Sequence, residues 1–207
     1  SILYNGFWHN SSSTMSTIMF SLDDYYWSDE CIHLLKVWAE DALGNTYHHA
    51  DIILRRDDTP PSSEHFFCCG AYYENGTGEE YISSETYSVL EAEDTGPCIS
   101  GVKEIWYTIS IWNENQGQWE PIRNTTEYCA YCGPFRIFEE CTHKITWWSY
   151  DNLNNQEIPH EKIVHVDNSP PESQIHFTGP YHTPEGGITH YIAVNNTHIS
   201  ITAEDQP

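Results

Sequence analysis

Positive charge is scarce in this chain. Eight Lys plus Arg stand against 31 Asp plus Glu, a formal charge of −23 over 207 residues. So acidic a surface repels polyanions, which excludes nucleic acid and an anionic membrane face as partners and favours solubility and cations. Long hydrophobic runs are missing as well. No stretch of 18 apolar residues occurs and no basic segment leads into an apolar one, so no direct membrane insertion is expected here. A signal peptide and an anchor are expected outside these residues. Helical periodicity of any length is absent. So are the H-E-x-x-H signature, EF-hand spacing and a nucleophile elbow. Twelve histidines are present, but only His48 and His49 are adjacent. No enzyme is expected.

What the chain does have is a repeat. Residues 31–61 and 141–171 align without a gap, and ten of the 31 positions are identical. Cys31, His33, Trp38, Asp41, Leu43, Asn45, Ile53, Asp57, Pro60 and Pro61 each recur in the second stretch at the matching place, from Cys141 to Pro171. The period, about 110 residues, is the size of one small independently folding unit. It divides the chain into the C-terminal part of one module (1–57), a complete module (58–167) and the N-terminal part of a further one (168–207).

Alternation of apolar residues with period two predicts strands over His33–Glu40, with Leu35, Val37 and Ala39 on one face, and around Ile52–Arg55. In the complete module, strands are predicted near His65–Phe67, twice within Tyr81–Glu93, over Val102–Trp112, at Pro134–Phe138 and over Lys144–Tyr150. Ile105, Tyr107, Ile109 and Ile111 share a face, and Asn113–Gly117 reads as a hairpin turn. Ser1–Tyr4 aligns with the strand end near Trp112–Asn115. Many short strands and no helix make the fold class all-β, a series of Ig-like β-sandwiches of about 100 residues each.

Six of seven cysteines fall in one module: Cys68, Cys69, Cys98, Cys129, Cys132 and Cys141. That density predicts structural disulfides in an oxidising compartment, although six cysteines allow fifteen pairings. Cys31 is left over, and its partner is expected outside the segment. The Cys129-Ala-Tyr-Cys132 spacing could also seat zinc, a redox couple or haem. Gly133 stands where haem attachment needs histidine, no second C-x-x-C completes a zinc ribbon, and no helix follows. Four N-x-S/T sequons, at Asn10, Asn75, Asn124 and Asn195, fit the same extracellular location.

The order D-x-[TS]-P-P, then Ala92-Glu-Asp94, Ser100-Gly-Val102, Ile105-Trp-Tyr107 and D-x-L-[GN]-N resembles the prokaryotic Ig-like repeats found in tandem on large surface, S-layer-associated and adhesin-like proteins. The resemblance covers nearly the whole chain and implies tandem Ig-like sandwiches. Its motifs are mostly turn chemistry, so it speaks to fold before activity. The cysteines and the long stretches Gly70–Glu80 and Asn113–Tyr131 depart from it.

Acidic residues cluster at strand ends and module junctions: Asp41, Asp57, Asp58, Asp94, Asp151, Asp167 and Asp205. Carboxylates from adjoining loops can converge on Ca²⁺, and in the complete module Asp57, Asp94 and Asp151 are the candidate ligands. Against this stands the ordinary preference of Asp for turns. Trp112, Trp119, Trp147 and Trp148 could stack on sugars or simply pack. A row of small sandwiches joined by short proline-bearing connections makes a stiff spacer or fibre. The expected function is therefore structural and extracellular: a filament, sheath, stalk or S-layer segment whose partners are neighbouring modules or further copies. The alternative is an adhesin or carbohydrate-binding module with glycan partners.

Overall fold

The computed structural model describes residues 2–4, 7–9, 31–122, 129–193 and 195–205, with side chains for 32–122, 131–193 and 195–205. Every regular element among them is a β-strand. The chain forms two compact units, Ser1–Val166 and Asp167–Pro207. The boundary expected at 57–58 falls inside the first.

That unit begins with β1 (Ile2–Tyr4), β2 (Phe7–His9), β3 (Cys31–Glu40), β4 (Thr46–His48) and β5 (Ile52–Arg56), ordered β2-β1-β3-β4 with β5 also on β3. It continues with β6 (Ser62–Cys68), β7 (Tyr72–Glu74), β8 (Glu80–Ile82), β9 (Tyr87–Glu93), β10 (Val102–Asn113), β11 (Gln118–Pro121), β12 (Cys129–Ala130), β13 (Cys141–Asp151) and β14 (His160–Val166). These build a seven-stranded sheet, β11-β10-β13-β14-β8-β7 with β12 on β10, and a separate β6–β9 pair. The second unit holds β15 (Glu172–Thr178), β16 (Tyr181–His182), β17 (Tyr191–Ile192) and β18 (His198–Glu204), in the pairs β15–β18 and β16–β17.

The alternation read in Val102–Trp112 explains the core. Ile109 on β10, Ile145 and Trp147 on β13, Val164 and Val166 on β14, and Ile82 on β8 project from one face of the large sheet. Leu90 from β9 belongs to the same buried cluster, and Phe67 from β6 packs against it. Two layers thus enclose one apolar interior, because period-two side chains leave each sheet only one face to bury. Ile145 and Val164 are both 0 % exposed. Trimming one methylene there with Ile145→Val is expected to cost about 1 kcal/mol, read as a lower urea midpoint. An unchanged midpoint would mean the interior is not close-packed.

The repeated stretches share geometry as well as letters. Across β3–β5, Cys31 faces Arg56 and Leu35 faces Ile52; one period on, across β13–β14, Cys141 faces Val166 and Ile145 faces Lys162. His33 and His143 are buried at the matching place, 3 % and 0 % exposed. Asp41 Oδ1 accepts the backbone N–H of Leu43 and Asn45 at 2.9 Å each, and Asn45 Nδ2 donates to Oδ2 at 2.7 Å. Asp151 repeats all three bonds with Leu153 and Asn155 at 2.9, 2.7 and 2.6 Å. Leu35, by contrast, is only half-buried where Ile145 is 0 % exposed.

Two expectations need correction. Tyr4 lies opposite Leu35 as Ile109 lies opposite Ile145, so Ser1–Tyr4 corresponds to the middle of β10 rather than to Trp112–Asn115. The first hairpin closes earlier, and sequence alignment across unequal loops could not register it. At Pro134–Phe138 no strand forms; Phe135 makes a single bridge to Ser88. Pro134 has no N–H to give, and Gly133 at φ 144° breaks the extended run.

One core group is titratable. His65 on β6 stacks edge-on against Phe67 (4.7 Å) and tilted on Trp147 (5.3 Å), and neither ring nitrogen has a hydrogen-bond partner. Burial, aided by the Lys162 ammonium and opposed by Glu80, pushes its pKa from 6.5 down to about 4. The unfolded chain therefore binds the proton first, and stability falls as pH drops from about 6.5 towards about 4. His65→Phe is expected to flatten that part of a urea-midpoint profile. A slope that survives the substitution would place the effect elsewhere.

Candidate metal centre

Four short motifs that lie far apart in the chain meet at one end of the sandwich. Asp57 comes from the connection between β5 and β6, Asp94 from just after β9, Ser100 and Gly101 from just before β10, and Asp151 from the end of β13. One carboxylate oxygen from each of Asp57, Asp94 and Asp151 lies within 4.8 Å of the other two. The three side chains are 5 %, 9 % and 0 % exposed.

Backbone amides hold the carboxylates in place. Asp57 Oδ1 accepts Thr59 N–H (3.2 Å) and Oδ2 accepts Ser100 N–H (2.7 Å). Asp94 Oδ2 accepts Gly101 N–H at 2.5 Å. Gly101 sits at φ 93°, a conformation open to glycine at little cost, and this aims its amide at Asp94. Asn155 Nδ2 spans the site, donating to Asp151 Oδ2 (2.6 Å) and to the Asp57 carbonyl (2.9 Å). Burial pushes the Asp151 carboxyl upward, but the Asn155 backbone and side-chain amides and the Leu153 N–H outweigh it. The net pKa lies below the ordinary value, so Asp151 is ionised.

Asp94 Oδ1 is different. It is buried and has no hydrogen-bond partner. Repulsion between carboxylates at this separation is about 3–4 kcal/mol per pair at an effective dielectric near 20. Among the described ion pairs, the nearby cations are engaged elsewhere: Arg56 with Asp58, and Lys103 with Glu104. The oxygen-only donor set and an unmatched buried oxygen fit a hard divalent cation, calcium before zinc.

The remaining expected sites fare variously. Asp41 is exposed in its own turn; the second unit carries Asp167, whose Oδ1 accepts Ser169 N–H at 2.9 Å, and Asp205. Cys98 is buried and disulfide-bonded. Cys68, Cys69, Cys132 and Cys141 are free thiols in place of the expected bridges. Cys141 is held in β13 with its thiol on the Trp112 carbonyl (3.8 Å), and Cys132 is exposed. Cys69, at φ 57°, turns its thiol onto Cys68, whose pKa that hydrogen bond raises. The side chains of Cys31 and Cys129 lie outside the described residues, as do Asn10 and Asn124. Asn75 caps the β7–β8 turn, its Oδ1 accepting Thr77 and Glu79 N–H at 3.0 and 2.9 Å, and Asn195 is exposed.

Of the tryptophans, Trp147 is core: it is 6 % exposed and packs between His65 and His160. Trp112 and Trp119 meet edge to face at 5.2 Å, with the Lys144 ammonium over Trp119. Sequence reading missed Ser100, Gly101 and Asn155 as the groups that orient the carboxylates. It also missed Glu157, only 7 % exposed, which ties β6 to β13 beside the centre. No signal marked Glu157, since its counterpart one period earlier is Tyr47.

No family model, curated protein or solved structure matches the chain.

Proposed function

We propose that this chain is a segment of an extracellular array of Ig-like sandwich modules that works as a structural spacer: a filament, sheath, stalk or S-layer component. Calcium at Asp57, Asp94 and Asp151 stiffens each junction. The observation that carries this reading is the convergence of D-x-T-P-P, A-E-D, S-G-V and D-x-L-x-N on one buried oxygen cradle. Asp57 belongs to the connection entering the module, whereas Asp94 and Asp151 belong to its body, so a shared cation fastens the one to the other. A stiff connection turns a row of modules into a rod.

The matched registers of β3–β5 and β13–β14, and the matched turns at Asp41 and Asp151, support a tandem array. The acidic surface suits a cation-rich exterior. In this reading Asp167 and Asp205 are the first two ligands of the following junction and Asp41 the last ligand of the preceding one. Electron microscopy of the native material tests the proposal. Uniform rods or a lattice in calcium, becoming slack or dispersed in chelator, are the expected result; single globular particles in both would sink it.

A further inference from the structure

On the outer face of the large sheet, away from the core, lies a cleft of about 490 Å³ lined by Glu104, Trp106, Trp148, Tyr150, Asn154 and Gln156. Ligand sites for small molecules run about 300–1,000 Å³. Its aromatic floor follows from strand register: Trp106 faces Trp148 directly across β10–β13, and Glu104 faces Tyr150. These positions alternate with the inward Ile105, Tyr107 and Trp147, so period two turns them to the other face, where Trp106 and Tyr150 are half-buried and Trp148 is buried at the bottom of the cleft. The rim comes from the turn that supplies Asp151 to the carboxylate cradle. Asn154 sits there at φ 67° with Lys103 Nζ on its Oδ1 at 2.9 Å, and Gln156 is pinned by a bridge to Tyr150.

We infer that this cleft is a binding site for a neutral saccharide. Sugar rings present flat C–H faces that stack on indole and phenol, with hydroxyls at their edges that both donate and accept. The cleft offers both halves of that chemistry. Trp106 and Tyr150 supply ring faces beside Trp148, while Glu104 accepts, the Asn154 amide donates and Gln156 does both. The charge of −23, with Glu104 in the wall, selects against sugar acids. At the matching turn of the first copy lies a smaller groove of about 320 Å³, where Tyr47 is the one ring among the described lining residues, beside Glu40 and Asp41.

The test is titration of the chain with neutral cello-, manno- and chito-oligosaccharides and with an oligogalacturonate, read by tryptophan fluorescence and calorimetry. Saturable binding of a neutral oligosaccharide is expected, weakened about tenfold or more by Trp106→Ala and by Gln156→Ala and untouched by Trp119→Ala. Gln156 is exposed, so that variant carries the test should Trp106→Ala fail to fold. Three outcomes overturn the inference: no neutral sugar saturating up to about 10 mM, preference for the uronate, or binding that ignores both cleft substitutions. Calcium binding measured on the same samples is independent of every one of these.

Discussion

Chelation of divalent cations is expected to lower the melting temperature of this chain by about 10 °C, and added calcium to restore it. A ligand at a hundred times its dissociation constant stabilises the folded state by about 2.7 kcal/mol, which a domain of this size reports as a shift of roughly that magnitude. The sharper form of the prediction is a change of sign. Without a cation, three buried carboxylates repel one another, so Asp94→Asn relieves repulsion while its carbonyl keeps the Gly101 amide satisfied. The variant is then more stable than the parent in chelator and less stable in calcium. Differential scanning calorimetry in the two buffers decides it. Curves that keep the same order in both, or a parent melting point indifferent to chelator, would mean that the three aspartates are a turn cluster and nothing more.

The second large effect belongs to Glu157. Its carboxylate accepts Ser63 N–H (2.7 Å), Ser63 Oγ (2.5 Å), Ser149 N–H (3.2 Å), Ser149 Oγ (2.8 Å) and His160 Nε2–H (2.7 Å). Glu157→Ala removes the acceptor from all five donors inside a nearly dry seam between β6 and β13. The expected loss is about 3 kcal/mol or more, by urea unfolding. Burial pushes the Glu157 pKa up, but the Ser63 hydroxyl and amide, His160 and Ser149 together hold it below 4.5. Its contribution is therefore complete above 4.5, the unfolded value, and is lost as pH falls through the lower folded one. That window lies under the His65 window, so the two groups separate on one acid profile. A Glu157→Ala variant within about 1 kcal/mol of the parent would show that water replaces the carboxylate at little cost.

Much of this is legible in the sequence. Alternation in Val102–Trp112 puts Ile105, Tyr107, Ile109 and Ile111 on one side, and the first three are the residues of β10 in or against the core. The gapless match of 31–61 with 141–171 carried over into identical ladder registers because equal spacing between the strands and a matched Asp–Asn turn set which residues face one another. Turn aspartates could be named for the same reason: Asp at a strand end has few uses, and one of them is to hold a loop or an ion.

Other features could not be read. Glu157 occurs in no repeated motif, and its worth lies in Ser63, 94 residues away. Trp106 and Trp147 look alike as letters, yet one lines an open cleft and the other fills the interior. Cysteine density predicts disulfides, and Cys98 is bridged, whereas Cys68, Cys69, Cys132 and Cys141 are not paired. Density counts residues and says nothing of the distance between sulfur atoms.

By itself, then, the sequence determined an all-β chain, the faces of its strands and the identity of its turns. Each of these depends on neighbours close by in the chain, through the period of the pleat and the φ preferences of single residues. Tertiary structure alone decided that Asp57, Asp94 and Asp151 share one buried point, that Gly101 and Asn155 aim their N–H groups at it, and that Trp106 and Tyr150 line a cleft whose rim is the Asp151 turn. Such meetings depend on how sheets pair and stack across the length of a module, a distance at which local preference carries no information and only the closing of the core fixes which side chains converge.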